Sequence, residues 1–219
     1  MDLPKGVRAV IFDLDGTLLD SMQMWQAVDR EYLARFGLAC PPDLQRRLQG
    51  KSVVEVALYF QEHFGIRDSR EKILRDWNEM AEAAYRDTLE LKPGAAVLVR
   101  RLKAAGFSLG LATSNYRNLT EACLRRHGLL DCFSVLVCAG EVQKGKPDPE
   151  IYRTAAAQLG LAPARCLVFE DLPEGLLAAK RAGCPAIAVA DEASADREQE
   201  KRQLADGFVN SLEELRLSI

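Results

Sequence analysis

The chain has no CxxC pair, no basic excess, no apolar run approaching the length of a membrane span, and no internal repeat or low-complexity segment. Each absence removes a class of protein. The six cysteines, at positions 40, 123, 132, 138, 166 and 184, are scattered, which fits a reduced, cytoplasmic protein. Cys166 and Cys184 fall at predicted strand edges, where thiols serve as small buried hydrophobes. A formal net charge of −3 leaves no electrostatic footprint for nucleic acid. Nothing is long and apolar enough to predict a membrane span. Residues 1–6 lead straight into the first predicted strand, leaving no room for a signal peptide. His63 and His127 fall at helix ends and are given no chemical role.

With 219 residues, 48% hydrophobic and 28% charged, the chain has the apolar content for a sizeable core. The apolar run Val7-Arg8-Ala9-Val10-Ile11 predicts a buried strand. Further strands are predicted over 107–112, 133–137, 166–169, 186–189 and 207–209, with a helix after the last. Helical stretches between them end at Gly106, Gly128, Gly160 and Gly183, the residue that most readily closes a helix. Such alternation predicts an α/β fold: a Rossmann-like, doubly wound, mainly parallel sheet of six strands with helices on both faces.

Residues 18–89 break the alternation. Trp25, Val28, Tyr32 and Phe36 recur at helical spacing, with Asp29, Arg30, Glu31 and Arg35 on the other faces. The stretches 52–64 and 69–89 also read as helices, and no strand-like run intervenes. The expectation is a core domain of residues 1–17 and 90–219 and an inserted all-helical cap of residues 18–89 over the strand ends. The charged run 196–202 reads as a solvated helix face.

Candidate chemistry gathers at the carboxyl ends of the predicted strands, where open α/β sheets place their sites. Asp13 and Asp15 leave the first strand two residues apart, able to point the same way, and Gly16 permits a sharp turn just beyond. Paired carboxylates there suit a divalent cation, with one attacking an electrophile and the other moving protons. An EF-hand is excluded, because counting from Asp13 its sixth and twelfth positions hold Leu18 and Met24. Thr113, Ser114 and Asn115 end the second strand and can hold phosphate oxygens, or alternatively cap the helix that follows. Lys146, between Gly145 and Pro147, is an ammonium on a stiffened loop suited to neutralising charge; Lys144 reads as solvated. Glu170 and Asp171 close a buried strand and are natural ligands for a hard cation, or else a capping turn.

These pieces, Asp13-Leu14-Asp15-Gly16-Thr17, Thr113, Lys146 and Glu170-Asp171, resemble the four motifs of the haloacid dehalogenase superfamily, in the branch with a helical cap after the first motif. The resemblance covers essentially the whole chain. It implies a magnesium-dependent phosphatase acting on a small phosphorylated metabolite, a sugar phosphate first, as a monomer. It implies that Asp13 is the nucleophile that becomes phosphorylated and Asp15 the general acid and base. It also implies that Lys146 and Thr113 hold the phosphoryl charge. The implied Mg²⁺ ligands are the Asp13 carboxylate, the Asp15 backbone carbonyl, Asp171, and Glu170 directly or through water. Family members that break carbon–halogen bonds lack the second aspartate, so Asp15 argues against dehalogenation.

The first alternative is a sugar-phosphate mutase similar to β-phosphoglucomutase. Its relatives carry an arginine three residues after a cap-loop glycine and a histidine early in the first cap helix. Gly50 matches the glycine, but Val53 and Trp25 occupy the other two positions. Val53 also argues against phosphonoacetaldehyde hydrolases, which place a lysine there. The start Asp20-Ser21, with Trp25 shortly after, resembles phosphatases of hexose phosphates. The second alternative, a non-catalytic phosphometabolite-binding protein, is disfavoured because no motif residue is lost. Lys51, Trp25 and Trp77 are the cap candidates for substrate contact, with helix packing the competing role for each tryptophan.

Overall fold

The computed structural model describes residues 4–48 and 51–215, so the Gly50 reading lies outside the described residues. Six strands form: β1 (Ala9–Phe12), β2 (Ser108–Ala112), β3 (Val135–Val137), β4 (Cys166–Glu170), β5 (Ala186–Val189) and β6 (Gly207–Val209). All neighbours pair in parallel in the order β3-β2-β1-β4-β5-β6. The winding reverses at β1, which lies between β2 and β4, and a crevice opens at such a switch point. Successive β1 side chains enter opposite layers of the core: Val10 and Phe12 on one face, Ala9 and Ile11 on the other. Burial on both faces is why these strands read as unbroken apolar runs.

The helices are α1 (Met22–Ala34), α2 (Leu44–Leu48), α3 (Val53–Phe64), α4 (Arg70–Asp87), α5 (Ala95–Ala104), α6 (Arg117–Arg126), α7 (Glu150–Gln158), α8 (Pro173–Ala182) and α9 (Glu198–Leu204). Gly106, Gly128, Gly160 and Gly183 all have positive φ, as helix-closing glycines do. Ser52 caps α3 in a reciprocal box with Glu55, and Ser69 caps α4 by accepting the Lys72 N–H. The helices α1 to α4 share a hydrophobic cluster of their own, in which Trp77 meets the rings of Tyr32 and Phe60 edge-on at 5.6 and 5.0 Å. This helical region touches the sheet's carboxyl-edge loops. Asn78 and Asn118 exchange amide hydrogen bonds of 3.1 and 2.8 Å, and a Cβ on Gly145 would lie 3.0 Å from Ser52 Cβ.

Several details depart from the sequence reading. Phe36 lies past the end of α1 and is 41% exposed. The five-residue α2 is too short to show a period. After β6 the described residues hold a 3-10 turn, Leu212–Glu214, where a helix was expected. The run 196–202 is not a single solvated face: it crosses from a 3-10 segment into α9, and Lys201 is only 1% exposed. The Lys201 ammonium donates to Ser194 Oγ at 2.9 Å, which is what makes its burial tolerable. Among the described residues no helix is long and apolar enough to cross a membrane. All six cysteines are free thiols, and Cys166 and Cys184 are buried as expected.

Candidate active site

The backbone just past β1 sets the geometry. The Asp13 N–H donates to the Phe169 carbonyl at 3.0 Å, which extends the β1–β4 ladder one step and presents Asp13 beside the end of β4. Gly16 has φ +81°, and a Cβ there would lie 2.3 Å from Asp171 Oδ2. Only glycine lets this turn approach that carboxylate. Thr17 then donates its hydroxyl to Asp171 Oδ1 at 2.9 Å.

Asp13 is buried at the strand end, with 6% of its surface exposed. Lys146 donates to Asp13 Oδ1 and to Glu170 Oε1, both at 2.6 Å, and to the Ala112 carbonyl at 3.2 Å. Burial pushes the Asp13 carboxyl up to about 7 against the pull of Lys146. Burial works against the Lys146 charge, but Asp13 and Glu170 outweigh it and hold the ammonium protonated. Glu170 is saturated: Oε1 also accepts from Tyr152 at 2.9 Å, while Oε2 accepts the N–H groups of Asp171 and Leu172 at 2.9 and 3.0 Å. A Cβ on Gly175 would lie 1.8 Å from Glu170 Oε1, so α8 passes this carboxylate at a glycine.

Asp15 is held differently. Ser21 donates to its Oδ1 at 2.6 Å, the Tyr85 hydroxyl donates to the same oxygen, and Asn115 Nδ2 donates to Oδ2 at 2.9 Å. Burial, then the Asp15 charge, hold the Tyr85 phenol well above its ordinary value, so it stays a donor. Trp25 Nε1–H donates to Tyr85 Oη at 3.0 Å, linking the first helix to the network. Asn115 Oδ1 accepts the Tyr116 N–H and Thr113 Oγ1 accepts the Asn115 N–H. Tyr116 itself is the N-cap position of α6, with no side-chain cap, which removes the capping role considered for Thr113, Ser114 and Asn115.

Asp13, Glu170 and Asp171 offer carboxylate oxygens within 4.8 Å of one another. Burial first, then the neighbouring carboxylates, push Asp171 well above its ordinary value. When ionised, these acids outnumber the Lys146 ammonium, and an all-oxygen donor set of this kind fits a hard divalent cation.

The structure brings Asp13, Asp15, Thr113, Ser114, Asn115, Lys146, Glu170 and Asp171 around one cavity of about 220 Å³. Trp25, Lys51 and Trp77 line its opposite side. Lys144 is exposed. His63 stacks on Tyr59 at 3.9 Å and His127 bonds the Leu89 carbonyl at 2.9 Å, both away from the cavity. Tyr85, Ser21 and Tyr152 escaped the sequence reading. A tyrosine inside a helical period carries no mark of chemistry, although Ser21 follows directly on the motif. Lys92 was missed as well: it ties the Gly16 carbonyl (2.8 Å) to the Ala190 carbonyl (2.7 Å) and Asp191 (2.8 Å).

Among known proteins, the sequence pattern of the haloacid dehalogenase-like hydrolases matches residues 7–183. The chain belongs to this family. Hexitol phosphatase A of Escherichia coli (strain K12) is 34% identical to this hydrolase over 212 residues, covering 95% of this chain and 93% of that protein. The bifunctional riboflavin kinase/FMN phosphatase of Arabidopsis thaliana is 34% identical over 216 residues, 98% of this chain, and the chain spans 56% of that protein's length. A crystal structure of CbbY from Rhodobacter sphaeroides in complex with phosphate superposes with a TM-score of 0.86 at 28% identity, over 95% of this chain and 96% of that one. This member of the haloacid dehalogenase-like hydrolases is thus an enzyme of the phosphatase kind.

Proposed function

We propose that the protein hydrolyses small phosphomonoesters, sugar or polyol phosphates first, through a phosphorylated Asp13, with residues 18–89 forming a cap over the site. One observation carries the reading: two carboxylates two residues apart stand in opposite environments. Asp13 faces an ammonium at 2.6 Å, while Asp15 is held by neutral donors from Ser21, Tyr85 and Asn115. That division supports different tasks for the pair.

An Asp13 oxygen attacks phosphorus, the bond from phosphorus to the leaving oxygen breaks, and Asp15 gives its proton to that oxygen. The Asp15 carboxylate next takes a proton from water. The resulting hydroxide attacks phosphorus and releases Asp13 with inorganic phosphate. Lys146 and Thr113 face the charge spread over the phosphoryl oxygens, with Ser114 and Asn115 beside them. Tyr85 holds Asp15 toward the leaving group, and Trp25 holds Tyr85.

Asp13, Asp171 and the Asp15 backbone carbonyl would hold the cation, which on this reading would be Mg²⁺. Glu170 is assigned to Lys146 and Tyr152 instead, because both its oxygens are already engaged. When bound, such an ion offsets the repulsion between an anionic nucleophile and a phosphate dianion. A mutase fits less well: Val53, half-buried, lines the cavity where a cation would be needed for a distal phosphate.

Asp13→Asn tests the reading. Phosphate release from a panel of sugar and polyol phosphates should fall by at least about 10³-fold, with the melting temperature retained. Radiolabelled phosphate trapped by acid quench of the wild type should map to Asp13. Label on any other residue would overturn the assignment.

A further inference from the structure

The cavity wall supplied by the inserted helices is mainly apolar, with Gln45, Lys51 and Ser52 among its polar residues. Met22 and Trp25 come from α1, Leu48 from α2, Val53 and Val56 from α3, and Trp77 from α4. One carboxylate breaks this wall. Asp29 follows Met22 and Trp25 at i, i+3 and i+7, so all three share the cavity face of α1. It is 7% exposed, yet among the described residues its hydrogen-bond partner is a single amide, Gln45 Nε2, which donates to Oδ2 at 2.6 Å. No cation pairs with it among the described residues, although buried carboxylates ordinarily have one. Gln45 also lines the cavity, and with its amide nitrogen given to Asp29 its carbonyl oxygen remains an acceptor.

We propose that Asp29 and Gln45 form the leaving-group subsite, a pair of acceptors that takes two neighbouring hydroxyl donors of a neutral polyol or sugar. This rests on the phosphatase reading and names its substrate class. Hydroxyls can donate to both acceptors, while Trp25 and the aliphatic wall cover the carbon skeleton. A second phosphate set beside an ionised Asp29 would meet like charge, so this pair favours hydroxyls over a dianion.

Asp29→Asn is the discriminating variant. Its single carboxamide oxygen is taken by Gln45, so an NH₂ group faces the cavity and an acceptor becomes a donor. With Mg²⁺ present and at pH 8, where Asp29 is ionised, KM for sorbitol 6-phosphate should rise about 10–100-fold, the loss expected for hydrogen bonds to a charged acceptor. The kcat/KM for p-nitrophenyl phosphate, which has no hydroxyls, should stay within about twofold and doubles as the check on folding. Binding read by calorimetry in an Asp13→Asn background separates this proposal from the reading it rests on. There, adding Asp29→Asn should weaken sorbitol 6-phosphate by the same factor and leave phenyl phosphate unchanged. Equal effects on both ligands, or no effect on either, would overturn the subsite. Selective loss of polyol binding on Asp29→Asn, beside a wild type that releases no phosphate from any of these esters, would instead uphold the subsite and sink the phosphatase.

Discussion

Asp29→Asn should also stabilise the protein, by an amount that depends on pH in a defined way. Burial lifts the Asp29 carboxyl from 3.8 to about 7, opposed by the Gln45 hydrogen bond. The native protein therefore keeps a proton that the unfolded chain has already released. Stability from this group is complete below the unfolded value near 3.8 and is lost as pH rises through about 7. Between pH 5 and the native value lie about two units, each worth about 1.4 kcal/mol, which sets a ceiling near 2.7 kcal/mol. The carboxylate borders an open cavity where water can relax around it, so the expected effect is about 1–2 kcal/mol. Asparagine keeps the bond to Gln45 and carries no charge. The two proteins should thus diverge in stability from pH 5 to 7 and run parallel above 8. Urea unfolding at pH 5, 6, 7 and 8 in metal-free buffer measures this directly, and other carboxylates that titrate in the same window cancel in the difference. Curves of equal pH dependence would show that Asp29 is not desolvated, and would remove the physical basis of the leaving-group subsite as well. A residue that costs stability at neutral pH, retained in a cavity wall, is the usual mark of a group kept for binding.

Chelation should abolish phosphate release and Mg²⁺ restore it, whereas Ca²⁺, with its larger and looser shell, should not. At about 100 times its dissociation constant Mg²⁺ should add about 2.7 kcal/mol to stability without substrate, read as a rise in melting temperature; full activity in excess EDTA would refute the metal. Tyr85→Phe removes a donor to Asp15 and should lower kcat by about 10–100-fold while changing KM little. Wild-type kcat in that variant would reduce Tyr85 to a packing residue.

The strands were legible because strands covered on both faces must be apolar throughout, and the motif carboxylates were legible because they follow those strands directly. Boundaries moved by a residue or two: β1 starts at Ala9, where Val7 was expected, and β4 runs one further to include Glu170. What the sequence hid lies on the helices. Asp29 was placed off the apolar stripe of the first cap helix, yet it stands four residues after Trp25 and lines the cavity with it. Tyr85 was absorbed into a helical period, and its contact with Asp15 spans 70 positions, beyond what any local pattern can report. Lys201 was read as solvated because burial of a charged residue depends on partners, here Ser194, that periodicity does not see.

The central place of β1 has a consequence for synthesis. Its β2 edge can be covered once residue 112 has been made, but its β4 edge stays bare until residues 166–170 emerge. The hydrogen bond from Thr17 to Asp171 joins positions 154 apart. At about 5–20 residues per second, the ribosome needs roughly 8–30 s between them. Until the end of that interval the proposed nucleophile lacks Glu170 and the Asp171 carboxylate, and for most of it Lys146 as well. A nascent or prematurely ended chain therefore carries the first motif without the means to use it. Turnover begins only when the last-made wall of the site closes against the first.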